Sequence, residues 1–182
     1  MTRKRALILL AVVTAGLAVF LLAIDPSTKA DGNPTIVDFE FAGNEGGAAE
    51  IVADWGDEGT DAARLSLWVD FVYLLAYGAF LVLAAAATRD LAASRGWRRM
   101  AAFGVAAPAL AAGGAAFDAI EDVGLLLALD GHGGDLAPGL AAVCASLKFL
   151  LTGTVIVYLL IGVVLRLRSR GAGSAPDGAS AR

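Results

Sequence analysis

Four long apolar stretches constrain this chain more than any other feature: Ala6 to Ile24, Leu65 to Ala87, Ala101 to Leu129 and Leu140 to Leu165. A helix needs about 20 residues, each rising about 1.5 Å, to cross a hydrocarbon core of about 30 Å, and every stretch reaches or approaches that length. The expected fold is an all-α membrane protein, a four-transmembrane-helix bundle. Composition agrees, since 58% of the 182 residues are hydrophobic and 18% charged, against about 45–50% and about 25% in an ordinary soluble domain. A net charge of −4 excludes a nucleic-acid binder that works through bulk positive charge. The single cysteine, Cys144, excludes a disulfide scaffold or an all-cysteine metal site within one chain.

The first stretch (residues 6–24) follows Arg3, Lys4 and Arg5 in the short segment 1–5. It exceeds a usual signal-peptide core, and Leu21-Leu22-Ala23-Ile24-Asp25 lacks a small-x-small cleavage site, so it reads as a retained signal-anchor. Basic residues resist translocation and mark cytoplasmic segments. Residues 1–5, the loop 88–100 with Arg89, Arg95, Arg98 and Arg99, and the tail 166–182 with Arg166, Arg168, Arg170 and Arg182 hold eleven of the fourteen basic residues. The expected topology therefore has both ends inside. Eleven Arg against three Lys in an Ala- and Gly-rich chain resembles the output of a GC-rich bacterial genome, which suggests a bacterial cytoplasmic membrane.

The first outer loop, 25–64, carries ten acids and two bases. Unstructured loops longer than about 12–15 residues are usually functional or disordered, but this one has pattern and is expected to form a small extracytoplasmic cap. Ile36-Val37-Asp38-Phe39-Glu40-Phe41 alternates like a half-buried strand or extended segment. Ala48, Ile51, Val52 and Trp55 fall at helical spacing, and Gly56 offers a left-handed stop. Thr60 or Asp61 is expected to cap the second spanning helix, a simpler reading of the Asp54–Asp61 acids than a calcium loop. In the tail, Arg166, Arg168 and Arg170 meet the headgroup layer and the Gly/Ala/Ser-rich remainder is expected to be disordered.

Ionisable residues inside a span are costly and face a bundle interior, a wet cavity or one another. Here they are Asp70, Asp118, Glu121, Asp122 and Lys148. Asp118, Glu121 and Asp122 share one face of the third helix, Asp70, Tyr73 and Tyr77 one face of the second, and Cys144, Lys148 and Thr152 a stripe on the fourth. Counted from the outer ends of their helices, the charged groups lie at roughly 7 to 17 Å depth, a common layer. If the hydrocarbon core ends near Phe117, the acidic triplet instead reaches interfacial water and Lys148 is a structural partner or snorkels outward.

Ala107, Ala111 and Ala115 form a small-residue ridge beside Gly104, Gly113 and Gly114, and Pro108 is expected to kink the third helix. His132 lies in the short outer turn 130–139 and reads as solvated, and Cys144 as a small buried residue. No nucleophile–base set, phosphate loop or haem-ligating pair occurs, and no cofactor or metal is expected. Asp38-Phe39-Glu40, Trp55-Gly56, Ser66-Leu67-Trp68-Val69-Asp70-Phe71, Ala76-Tyr77-Gly78, Asp118-x-x-Glu121-Asp122 and Lys148-Phe149 together resemble a recurrent type of small bacterial four-helix membrane protein with no established activity. The resemblance spans roughly residues 35 to 160 and implies architecture alone. The leading functional expectation is a non-enzymatic subunit in the lipid bilayer, packing with itself or a membrane protein partner, its acidic/Lys layer holding the helices together. The alternative is a small carrier or lipid-metabolising enzyme that uses the same residues around an outward-opening cavity.

Overall fold

A computed structural model describes residues 2–171. The side chain of Arg170 and the tail 172–182, for which a headgroup contact and disorder are expected, lie outside the described residues. All regular structure among those described is helical: α1 (Arg3–Ile24), α2 (Ile36–Glu40), α3 (Glu45–Ser94), α4 (Arg98–Phe103), α5 (Ala107–Leu129) and α6 (Leu136–Gly171). Three of them, α1, α3 and α6, are long and apolar enough to cross a membrane. The 23-residue α5 differs because Asp118, Glu121 and Asp122 sit within it.

Large apolar side chains face outward on every long helix, among them Leu22, Val72, Leu75, Val123, Val143, Leu150 and Val157. An apolar exterior of this extent greatly exceeds the patches of a few hundred Å² on soluble monomers, and suits lipid. Inside, α5 packs between α3 and α6, with Ala107 and Ala111 fully buried along the expected small-residue ridge. A Cβ placed on Gly114 would lie 2.7 Å from Thr152 Cγ2, so the ridge brings α5 and α6 together more closely than larger residues permit. The α1 helix leans on α3, barely touches α5 or α6, and buries no residue. Its sequence is apolar on every side, so no face is selected for burial.

Three local expectations are corrected and one, at Gly56, is met. Ile36–Phe41 is not a strand: Thr35 and Asp38 form a capping box, the Thr35 hydroxyl accepting from the Asp38 amide and the Asp38 carboxylate from the Thr35 amide, which starts α2. The helical run α3 opens at Glu45 with Asn44 as its N-cap and resumes directly after Gly56 to carry the second span, so neither Thr60 nor Asp61 is a cap, and the Thr60 hydroxyl donates back to the Gly56 carbonyl. Gly56 (φ 58°, ψ −165°) does interrupt the helical dihedrals, as expected, so α3 is two helical segments joined across a kink, in a backbone state accessible to glycine and strained for other residues. The third apolar stretch breaks at 104–106, which separates α4 from α5 and places Pro108 in the first turn of α5, where its missing amide interrupts no bond.

The segment between α1 and α3 is ordered by polar ties and aromatic burial. Asp25 accepts from the Ser27 amide and hydroxyl and from the Ile36 amide. Trp55 Nε1 donates to the Pro34 carbonyl at 2.6 Å, and its ring lies 5.0 Å from that of Phe39, which is fully buried. These residues pack on Leu125 and Leu129, covering the C-terminal end of α5. At the opposite end of the bundle, Arg3 pairs with Asp90 at 2.7 Å and Arg95 donates to Ser169, joining α1, α3 and α6.

Candidate functional site

Helical periodicity alone places Asp118, Glu121 and Asp122 on one face of α5, and packing turns that face toward α3 and α6. All three are buried, Glu121 completely. From α6, Lys148 Nζ approaches Glu121 Oε1 at 2.7 Å and Asp118 Oδ1 at 2.8 Å. The first contact is a hydrogen bond and the second an ion pair lacking hydrogen-bond geometry. From α3, the Tyr77 hydroxyl donates to Asp118 Oδ2 at 2.7 Å. Asp118 therefore joins three helices.

Asp70, half-buried on α3, completes a second grouping in which one oxygen from each of Asp70, Asp118 and Asp122 lies within 4.8 Å of the others. The Tyr73 ring packs against Tyr77 at 5.1 Å. The structure thus gathers all seven residues of the expected polar layer: Asp70, Tyr73, Tyr77, Asp118, Glu121, Asp122 and Lys148. It also adds Glu40, which an alternating strand would turn to the side opposite Val37, Phe39 and Phe41. The turn of α2 instead drives Glu40 inward, 8% exposed, with Oε1 3.4 Å from Lys148 Nζ. The Thr35-x-x-Asp38 spacing, a helix-start signal, was the clue to that reversal. Burial raises the Glu40 carboxyl pKa above the ordinary value, and the attraction of Lys148 only partly opposes this.

Five carboxyl groups therefore crowd a layer that holds one lysine. Lys148 faces Glu40, Asp118 and Glu121, whereas Asp70 and Asp122 have no cationic partner within 4.0 Å among the described residues. Asp122 Oδ2, Glu121 Oε2 and Glu40 Oε2 are buried without a hydrogen-bond donor. Such groups are expensive in a low-dielectric interior unless a proton, water or cation reaches them.

A cavity of about 640 Å³ reaches this layer. It lies between α1 and the other helices, with Leu21, Leu22, Phe80 and Ile156 among its apolar walls and Asp70, Asp118, Asp122 and Lys148 at its polar end. Of the other residues considered from sequence, His132 is exposed in the α5–α6 turn and Cys144 is buried. Arg98 and Arg99 open α4, and Arg99 borders a separate apolar groove with Phe103 and Tyr158. Arg3 is bound to Asp90, while Lys4, Arg5, Arg95, Arg166 and Arg168 lie toward that same end, away from the acidic layer. Comparison of the chain with protein-family models, with curated proteins and with solved structures finds no match in any of the three.

Proposed function

We propose that this chain is a four-span protein of a bacterial cytoplasmic membrane, both ends inside, that binds a small amphiphile in the cavity between α1 and the α3–α5–α6 core. The observation that carries the reading is the cavity itself, which pairs apolar walls with an acidic floor of incompletely partnered carboxylates. Small-ligand sites have this make-up, mostly apolar with a few convergent polar groups. Loose seating of α1 supports entry from the side, out of the bilayer. Four spans are supported by the way α5 turns its acids toward α3 and α6 while Ile120, Val123 and Leu127 face outward. The expected cap becomes the cover formed by α2 and the start of α3.

The structural reading keeps a narrower place. The Lys148–Glu121 contact, with Glu121 fully buried behind the cavity wall, ties α5 to α6, while Asp70 and Asp122 face the cavity and serve the ligand. Native mass spectrometry of the protein purified with native lipids tests the proposal. A stoichiometric small molecule is expected on the wild-type chain and lost from Ala18→Trp, which fills the cavity from α1. Empty cavities in both, with equal thermal stability, or a stoichiometric protein in place of a small molecule, overturn it and restore the subunit reading. For orientation, Asp57→Cys should react with an impermeant maleimide on intact cells and Ser94→Cys only after permeabilisation, with buried Cys144 silent.

A further inference from the structure

We infer that Asp70, Asp118 and Asp122 bind a hard divalent cation at the floor of the cavity, an inference that rests on reading this cavity as a ligand site. Three carboxylates from two helices converge, one oxygen of each within 4.8 Å of the others. Convergence of acids alone would be only a repulsive cluster. The second observation is Asp122, which lines the cavity at 2% exposure with Oδ2 meeting no donor. A buried, unpaired anion costs several kcal/mol, which either a proton shared with Asp70 or a cation held between the three carboxylates would relieve, and the cavity gives a cation its way in.

Lys148 does not fill that need. Its ammonium is taken up by Glu40, Asp118 and Glu121 on the other side of Asp118. Asp118 then bridges two cation positions, the lysine and the proposed ion, with Tyr77 fixing its rotation through Oδ2. A carboxylate has about four lone-pair sites, enough for all three contacts. The donor set is oxygen only, which suits magnesium, manganese or calcium and not the softer metals that favour imidazole or thiolate. Three carboxylates supply about half of the six or more oxygens such ions require. The remaining positions open toward the cavity, where water or an oxygen of the bound amphiphile completes the shell.

Manganese serves as the probe. The full chain in detergent micelles, titrated with Mn²⁺ and followed by electron paramagnetic resonance, should bind one ion per chain. Asp122→Asn and Asp70→Asn should each weaken that site by at least about tenfold. Asp54→Asn, on the exposed early part of α3, should leave it unchanged. Thermal unfolding without metal separates a lost site from a lost fold, since removing an unpaired buried charge leaves the metal-free protein as stable or more stable. Absence of the single site, or binding that ignores both cavity-facing substitutions in folded protein, overturns the inference. An amphiphile retained by a chain that binds no Mn²⁺ removes the cation and leaves the cavity reading standing. One Mn²⁺ on a chain that holds no amphiphile, with or without Ala18→Trp, removes the cavity reading instead.

Discussion

Lys148→Met deletes the one cation shared by three carboxylates while keeping much of the side chain's length and apolar packing. In the native protein Nζ lies 2.7 Å from Glu121, 2.8 Å from Asp118 and 3.4 Å from Glu40, and the lysine is 8% exposed. Removing one partner of a buried pair costs about 3–5 kcal/mol, because the other charge is left unpaired. For a chain of this length, each kcal/mol lowers Tm by about 2–4 °C, so the fall should be roughly 6–20 °C. Thermal unfolding in detergent, read by fluorescence of Trp55, Trp68 and Trp97, measures it. Glu121→Gln alone should cost less, since Lys148 keeps Asp118 and Glu40. The double variant should fall short of the sum of the singles by about 0.5–3 kcal/mol, the coupling expected of groups in direct contact. As a reference, Arg64→Ala, whose ion pair with Asp130 is exposed on both sides, should cost at most about 1 kcal/mol. A Lys148→Met protein that melts within about 2 °C of wild type, or singles that simply add, would refute the view that this lysine ties α5 to α6.

Trp55→Ala removes an aromatic contact with Phe39 and the bond to the Pro34 carbonyl, and should cost about 3–5 kcal/mol while exposing residues 26–43 to limited proteolysis. Gly114→Val forces a Cβ to within 2.7 Å of Thr152 Cγ2 and should destabilise by about 1–3 kcal/mol in the same melting assay. Gly153→Ala, where a Cβ meets nothing within 4 Å, should instead stabilise by up to about 1 kcal/mol through helix propensity. Hydrogen bonds from the Thr35 hydroxyl and amide hold the Asp38 carboxyl below its usual pKa. Its contribution to α2 is therefore fully present above the unfolded pKa of about 3.9 and lost as pH falls through the depressed folded value. The protection of the α2 amides, taken relative to intrinsic exchange at each pH, should fall as pH drops below about 4 in the wild type, and change less in Asp38→Asn.

Much of the charged layer could be read without coordinates. The i, i+3, i+4 spacing of Asp118, Glu121 and Asp122 and a common layer holding Asp70 and Lys148 follow from helix rise and pitch alone, and in the structure Asp70, Asp118, Asp122 and Lys148 line one cavity. Glu40 escaped because five residues are too few to separate period 2 from period 3.6 by hydrophobicity, and the Thr35–Asp38 capping box decided the outcome. Merging α4 with α5 had a similar cause: Ala, Gly and Val continue the apolar run through 104–106 while the backbone breaks there. The second span's helix resumes earlier than a cap at Thr60 or Asp61 implies, because a single non-helical residue, Gly56, kinks the run and helical bonding restarts at once.

By itself the sequence determined that long apolar helices exist, which residues share a face on each, and that one end of the bundle is basic and the other acidic. These properties depend on local periodicity and on transfer free energy, both of which act residue by residue. The tertiary structure decided which face meets which. In α5 small residues lie on nearly every side, so rotation about its axis is set by the closest approach it finds, Gly114 against Thr152 and Gly78 against Ala115. That rotation brings Asp118 between Lys148 and Tyr77 and leaves Asp122 beside Asp70. The cavity likewise has no local signature, because it forms where α1, uniformly apolar and without a preferred face, leans on α3 and leaves a space that ends at Asp70, Asp118 and Asp122.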